Sequence, residues 1–249
     1  MPADTSFDPI AALTLVRYPW RNTYSALAGM GLNRFLLRRV PGLCFWKLLG
    51  SARGLAFGAW NPRRYGLFTI WESPAALDAF ERASPLMAAY RRRADELWTV
   101  RLRPLSWHGS WGGVNPFASA APAAPLAPDD GPLAILTRAT IRPLRVRAFR
   151  AAARQVNAEL AQRPGLLAAI GLGEAPLFIQ ATFSLWASPR AVRGFAYSGP
   201  EHIAAMRRKD SENWYREELF ARFQPIAAYG TWDGSDPLRS SKLRIKSSQ

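Results

Sequence analysis

Residues 108–117 read HGSWGGVNPF and residues 229–238 read YGTWDGSDPL, so one pattern occurs twice, 121 residues apart. Residues 68–74 (FTIWESP) likewise match residues 183–189 (FSLWASP), in the same order along the chain. Both pairs keep a Trp and a Pro at fixed spacing. Ordered matches at nearly constant separation indicate repeated structural units rather than chance similarity.

A third match, Pro-Gly-Leu, begins at Pro41 and again at Pro164, and it lies in the corresponding place within each copy. Each copy then follows one predicted element order: an apolar strand, a helix, a turn, an alternating strand, two short helices and a closing strand. The chain is therefore predicted to contain an internal duplication.

The predicted elements have similar lengths in the two copies. The long elements are a strand at 13–17, a helix at 23–38 and strands at 65–71 and 99–111, then a strand at 133–141, a helix at 145–163 and strands at 178–186 and 225–232. The short helices are predicted to begin at Ser73-Pro74, Ser84-Pro85, Ser188-Pro189 and Gly199-Pro200. Ser before Pro is typical of a helix N-terminus, because Ser caps free N–H groups and Pro fits the first turn.

This order predicts an α+β protein in which tandem ferredoxin-like units form a fold like a dimeric α/β barrel. The expected divisions are a first unit at 10–117, an Ala/Pro-rich linker at 118–131, a second unit at 132–238 and a basic tail at 239–249. The sequence leaves open whether the two units pair within one chain or across a homodimer.

Alternation along the strand at 178–186 predicts one apolar face, containing Ala181 and Phe183, and one polar face, containing Gln180 and Thr182. In the strand at 133–141, Arg138 and Thr140 share a face. We expect helices to cover the apolar face and the polar face to line a cavity. The alternative, that the polar face is solvated, stays open.

The composition excludes several classes of protein. With 249 residues, 49% of them hydrophobic, the chain can bury a core, and one cysteine, Cys44, excludes an internal disulfide framework and a cysteine-based zinc site. Cys44 lies in an apolar run and is expected to be buried. The first residues do not resemble a signal peptide, and no apolar stretch is long enough to span a membrane. A cytoplasmic protein, in contact with the inner membrane surface at most, is expected.

The 33 Lys and Arg residues outnumber the 18 Asp and Glu residues, giving a formal charge of +15. Such a charge is typical of proteins that bind nucleic acid or anionic membranes. Because no nucleic-acid-binding motif accompanies it, we expect no nucleic-acid partner and favour contact with a membrane surface.

Only two histidines are present. His108 aligns with Tyr229 in the second copy, which favours a packing or hydrogen-bonding role. His202 follows Gly199-Pro200 and has no histidine counterpart in the first copy, as expected for a single cofactor ligand, although a structural role stays open. The acid pairs Asp95-Glu96 and Glu217-Glu218 are interpreted as solvated faces of helices.

Five blocks resemble the spheroidene monooxygenase family of acyclic carotenoid 2-ketolases, and the similarity runs from about residue 13 to residue 238. The blocks are FWKLLG at 45–50, LTRATI at 136–141, IGLGE at 170–174, QATFSLW at 180–186 and WYREELFARF at 214–223. The resemblance implies a haem-dependent, O₂-using monooxygenase that oxidises a terminal methylene of a carotenoid such as spheroidene to a ketone. It also implies a fold related to the dimeric α/β-barrel haem proteins.

In this family a histidine of the second unit is expected to bind the iron, and the Gly-Pro-Glu-His block carries that role to His202. Arg207 and Arg208 follow on the same helix and are candidates to pair with the haem propionates. Arg138, Gln180 and Thr182 are candidate catalytic residues on the distal or propionate side. His108 is the second choice as iron ligand.

Because no flavin or nicotinamide motif is present, the implied reaction needs an external electron donor such as a ferredoxin, which a basic surface would suit. Two other functions fit the same predicted fold. One is a non-catalytic protein that binds haem or a carotenoid. The other is a cofactor-free monooxygenase of the antibiotic-biosynthesis type.

Overall fold

The computed structural model describes residues 9–55, 59–175, 178–198 and 200–239, without the side chains at positions 175, 196–198, 200 and 202. Gly199, predicted to precede a helix, and residues 240–249 of the predicted tail lie outside the described residues. The first half contains β1 (Ile10–Arg17), α1 (Thr23–Leu37), β2 (Leu43–Ala52), β3 (Trp60–Trp71), α2 (Pro74–Ala83), α3 (Pro85–Arg93) and β4 (Glu96–Gly109). The second half contains β5 (Leu133–Ile141), α4 (Val146–Ala161), β6 (Leu166–Ala175), β7 (Ile179–Trp186), α5 (Pro189–Ser198), α6 (Pro200–Ser211) and β8 (Tyr215–Gly230).

The two halves therefore repeat one order of strands and helices, as the sequence predicts. All eight strands pair antiparallel in one closed barrel, in the order β1-β3-β2-β6-β7-β5-β8-β4. The halves meet at two seams. One is the short pairing of β2 with β6, and the other is the long pairing of β4 with β8, from Trp98↔Gly230 to Gly109↔Leu219. The two units thus pair within one chain.

The barrel interior is a packed core, because alternate residues of each strand point inward. Phe68, Trp98, Leu136, Phe183 and Phe223 are among its fully buried side chains. The helices cover the outer surface, and their N-termini follow the predicted chemistry. The Ser73 hydroxyl accepts a hydrogen bond from the N–H of Ala76, with Pro74 at the first helical position. No helix within the described residues is long and apolar enough to cross a bilayer.

The repeated loops that end each half close the two ends of the barrel. β4 and β8 end at Gly109 and Gly230, two residues before the tryptophans predicted to end them. Both glycines have positive φ, +89° and +82°, which turns the chain across the barrel end. Trp111 and Trp232 consequently lie in the loops, where their rings are buried against the barrel core.

Several sequence predictions were wrong. β2 and β6 were not predicted, because neither LCFWKLLGSA nor LLAAIGLGEA alternates apolar with polar side chains. Cys44, expected to be buried, is exposed, since a bulge between Leu43 and Phe45 turns it away from the core.

The acid pairs also differ from their predicted setting. Glu96 begins β4 and is buried, whereas Glu217 and Glu218 lie on β8 rather than on a helix. The prediction of which face of β7 the helices cover was also wrong. Its apolar face, with Ala181 and Phe183, fills the barrel, and its polar face turns toward the helices.

Candidate functional site

A cavity of about 380 Å³ lies between the outer surface of the barrel and the two helices α4 and α6. Its floor comes from β7, β5, β8 and the end of β4. This location follows from the strand pattern, because small and polar side chains on the outer faces of β5 and β7 leave space beneath the helices. The volume lies in the usual range for sites that bind a cofactor or a drug-sized molecule.

One row of side chains crosses the floor of this cavity. Thr182 pairs with Thr137, Thr137 with Phe220, and Phe220 with His108, so the four side chains stand side by side on neighbouring strands. The imidazole of His108 stacks on the Phe220 ring, with ring centroids 5.3 Å apart. Gln180 lies in the next row, opposite Ala139. Two of the three predicted catalytic residues, Gln180 and Thr182, therefore line the cavity together.

The roof of the cavity is mostly apolar. α4 contributes Phe149, Ala152, Ala153 and Val156, and Trp214 closes one side. The rings of Phe149 and Trp214 pack edge to face, with ring centroids 6.3 Å apart, so this wall is rigid and hydrophobic.

α6 turns a defined face toward the cavity, the face that carries Ala205, Met206 and Lys209. His202 precedes these residues by three, four and seven positions, which places position 202 on the same helix face. The side chain of His202 lies outside the described residues. The role of His202 as iron ligand stays a prediction, supported by this helix periodicity.

Cationic groups stand at the rim. The Nζ of Lys209 lies 3.1 Å from the Glu218 carboxylate and 3.2 Å from that of Asp210. Burial lowers the pKa of Lys209, but these two carboxylates raise it by more, so the ammonium stays charged. Arg222 is exposed, lies 5.3 Å from the centroid of Phe220 and has no ion pair among the described residues. Arg222 is thus the rim group most available to an anionic ligand.

Arg138 is separated from the other predicted catalytic residues. Its backbone borders the cavity, but its side chain points to the opposite face of β5, into the barrel end. There the guanidinium forms an ion pair with Glu217, approaches Glu174 to 3.9 Å and lies over the Trp111 ring. Through these contacts Arg138 helps to close the end of the barrel.

Arg207 and Arg208, the predicted propionate partners, are both exposed and do not line the cavity. The guanidinium of Arg208 donates to the Glu212 carboxylate at 2.8 Å and lies over the Trp214 ring. Arg207 follows the cavity-facing Met206 by one position, and its role stays a prediction.

Sequence reasoning missed Lys209 and Arg222 as rim groups, and it gave His108 only second place. Alternation of apolar and polar side chains in residues 214–223 could have identified Arg222. This block was interpreted as a family match and not as a strand. Once β8 is recognised, Phe220 and Arg222 fall on the face of β8 that turns away from the barrel core.

No protein-family model matches the chain. The chain is 35% identical over 242 residues to spheroidene monooxygenase of Rhodobacter capsulatus, covering 94% of this chain and 98% of that protein. The chain belongs to the spheroidene monooxygenase family. It is also 40% identical over 195 residues to the family member of Rubrivivax gelatinosus, covering 78% of this chain and 73% of that protein. Membership confirms the predicted enzyme class, an oxidoreductase of the monooxygenase type.

Solved structures confirm the predicted fold class. Aldoxime dehydratase OxdRE, crystallised with butyraldoxime, aligns with a TM-score of 0.61 and 12% identity, over 93% of this chain and 85% of that chain. A second aldoxime dehydratase aligns with a TM-score of 0.57 and 11% identity, over 94% and 82% of the two chains. At these identities the similarity concerns the fold alone. That fold, in this member of the spheroidene monooxygenase family, consists of two ferredoxin-like units in one barrel.

Proposed function

We propose that this protein is a haem-dependent, O₂-using monooxygenase that oxidises a terminal methylene of an acyclic carotenoid, of the spheroidene type, to a ketone. The observation that carries the proposal is the cavity under α4 and α6, which has an apolar roof, His108 on its floor and the helix that carries His202 above it. The names of the family members supply the substrate class.

The residues present fit a haem. Helix periodicity puts position 202 of α6 on the face that bears Ala205 and Lys209, and His108 offers an imidazole on the floor of the cavity. Phe149, Trp214 and the alanines of α4 would contact the flat macrocycle, while Arg222 at the rim would pair with a propionate. A buried porphyrin needs this combination of apolar faces and a cationic edge.

When bound, the haem supplies the activation of O₂, which no side chain of this chain can perform. The chain itself would orient the substrate and exclude water. The terminal methylene of the carotenoid would lie between the haem and the floor, where the Thr182 hydroxyl and the Gln180 amide are among the groups able to donate a hydrogen bond to oxygen.

The overall reaction balances as two successive hydroxylations of one carbon. Each step consumes one O₂, two electrons and two protons, inserts one oxygen atom and releases one water. The resulting geminal diol then loses water to give the ketone. The electrons come from an external donor such as a ferredoxin, and the charge of +15 supports docking of an acidic protein.

Turnover of an acyclic carotenoid tests the proposal. Purified protein loaded with haem, then supplied with reductant, O₂ and spheroidene, should yield the ketone, and the haem-free preparation should not. Equal product without haem would favour the cofactor-free monooxygenase. Haem or carotenoid that binds without any product, with chemical reductant as well as with a ferredoxin, would favour the non-catalytic binding protein.

A further inference from the structure

The outward face of α1 carries an unusual concentration of exposed apolar side chains. Half of the large hydrophobic residues exposed in the described chain lie on α1 or on the turn that precedes it. They are Trp20, Tyr24, Leu27, Leu32, Phe35 and Leu36, and Tyr24 is 88% and Phe35 67% exposed. An apolar patch of this kind marks a surface that contacts something other than water.

These residues share one side of the helix. Tyr24, Leu27, Gly31 and Phe35 follow one another at spacings of three and four, so they form a continuous stripe. The opposite side packs on the barrel and buries only Ala26 and Leu37.

The equivalent helix of the second unit, α4, is different. It buries Phe149, Ala152, Ala153 and Leu160, and α6 packs beside it. The duplication thus gives α1 a counterpart that is covered, whereas the stripe on α1 has no covering element within the described residues.

The stretch of chain that contains the stripe carries only positively charged side chains. Residues 9–71 contain nine Lys and Arg residues and no Asp or Glu. Arg21, Arg34, Arg38 and Arg39 lie on α1 or directly beside it, and all four are exposed. The guanidinium of Arg38 lies 5.9 Å from the centroid of the Phe35 ring, at the edge of the stripe. Apolar and aromatic residues flanked by arginines are typical of helices that lie in the interface of a membrane.

A groove of about 370 Å³ opens directly beneath the same helix. Leu27, Met30 and Arg34 of α1 line it, together with Trp60, and it reaches Gln180, which also borders the cavity under α4 and α6. The groove beside α1 and the cavity under α4 and α6 therefore lie on either side of Gln180.

From this geometry we infer that the outward face of α1 docks on an anionic lipid bilayer, with the Tyr24–Phe35 stripe inserted among the acyl chains and the four arginines at the headgroups. Charge complementarity selects this occupant. A second copy of the chain would place two faces of the same positive sign against each other, which opposes association. Lipid phosphates neutralise the arginines that flank the stripe.

Co-sedimentation with vesicles tests the docking, independently of haem and of turnover. Vesicles of equal parts phosphatidylcholine and phosphatidylglycerol should bind the protein, and pure phosphatidylcholine vesicles should bind it at least ~10-fold more weakly. The double variants Tyr24→Ser/Phe35→Ser and Arg38→Gln/Arg39→Gln should each lose ~10-fold or more in affinity for the mixed vesicles. Added salt should weaken binding of the wild type, and it should weaken binding of the arginine variant less.

The matched control is Leu144→Ser, which removes a leucine that is 96% exposed but lies outside α1. It should bind vesicles as the wild type does. Circular dichroism spectra and unfolding midpoints identify any variant that fails to fold, and Tyr24→Ser or Phe35→Ser alone then replaces the double variant. Unchanged binding by folded α1 variants would overturn the inference. So would a dimer, seen by analytical ultracentrifugation without vesicle binding, that the α1 variants dissociate.

Discussion

The guanidinium of Arg138 pairs with the carboxylate of Glu217 at one end of the barrel, and the counterpart of Glu217 in the first unit, Glu96, pairs at the other end with Arg64 at 3.2 Å and Arg17 at 3.4 Å. In each case the carboxylate also accepts a hydrogen bond from a glycine N–H in the loop that closes that end. These N–H groups are those of Gly113 at 2.7 Å and Gly234 at 2.7 Å. Duplication has therefore preserved a clamp that joins each closing loop to the opposite unit.

Glu217→Gln should destabilise the fold and change its response to acid. Burial alone would raise the pKa of Glu217, but the N–H of Gly113, the Ser110 hydroxyl and Arg138 together lower it to about 2. Breaking the pair leaves the buried Arg138 charge without its partner, so we expect a loss of ~3 kcal/mol in the free energy of unfolding at pH 7. Urea unfolding measures this loss.

The pH dependence of Glu217→Gln follows from the same lowered pKa. The stabilising contribution of the carboxylate is complete above its ordinary pKa of 4.5 and disappears as the pH falls toward 2. The wild type should therefore lose on the order of 2 kcal/mol more than the variant over this range, allowing for partial solvent screening. Glu218→Gln is the control, because the neighbouring carboxylate pairs at the surface with Lys209 and should contribute less than ~1 kcal/mol. Equal acid responses of wild type and Glu217→Gln would contradict this assignment.

The barrel ends could be predicted in part. The repeated Trp-x-Gly pattern identified both loops and the internal duplication, because residues that favour turns can be recognised from the local sequence. The clamp was not predicted, since Arg138 and Glu217 lie 79 positions apart and meet only after β5 and β8 pair. Reading Glu217 and Glu218 as helical hid the alternation that turns one carboxylate inward and the other outward.

Gly109→Ala should cost more stability than Gly113→Ala, although both glycines have positive φ. A Cβ at position 109 would collide with the backbone carbonyl of Glu218, whereas a Cβ at position 113 would meet open space. We expect a loss of ~1 kcal/mol at Gly113, from backbone strain alone, and of ~3 kcal/mol or more at Gly109. Thermal unfolding of the two variants side by side compares them. Equal losses would show that the close approach of β4 to β8 at Gly109 is absent.

Thr182→Phe should block the cavity under α4 and α6 without disturbing the barrel core. Thr182 stands in the central row of the floor, so a phenyl ring there would occupy space that the proposed haem needs. We expect haem affinity to fall by ~10-fold or more, while the free energy of unfolding changes by less than ~1.5 kcal/mol. Haem titration followed by absorbance, with urea unfolding in parallel, separates the two effects.

Ala83→Phe provides the control for that substitution. Ala83 is exposed at the end of α2 in the first unit and does not line the cavity, so the added ring should leave haem affinity unchanged. Wild-type haem affinity in the folded Thr182→Phe variant would place the cofactor elsewhere.

The cavity itself was only half predictable. Gln180 and Thr182 were chosen from strand alternation, and both line it, because period-two patterns report which side chains share a face. The roof depends on how α4 and α6 pack on the sheet, and no local pattern reports that packing. The sequence also predicted that the polar faces of the strands point into the barrel. The interior is instead filled by apolar side chains such as Phe183 and Leu136.

The absorption spectrum of haem-reconstituted protein, recorded for the wild type, His202→Ala and His108→Ala, tests both haem binding and the identity of the iron ligand. We expect a Soret band in the wild type that is lost or shifted in His202→Ala and retained in His108→Ala. A band unchanged in His202→Ala and lost in His108→Ala would move the ligand to the floor of the cavity. Absence of a Soret band in all three proteins after reconstitution would contradict the haem mechanism.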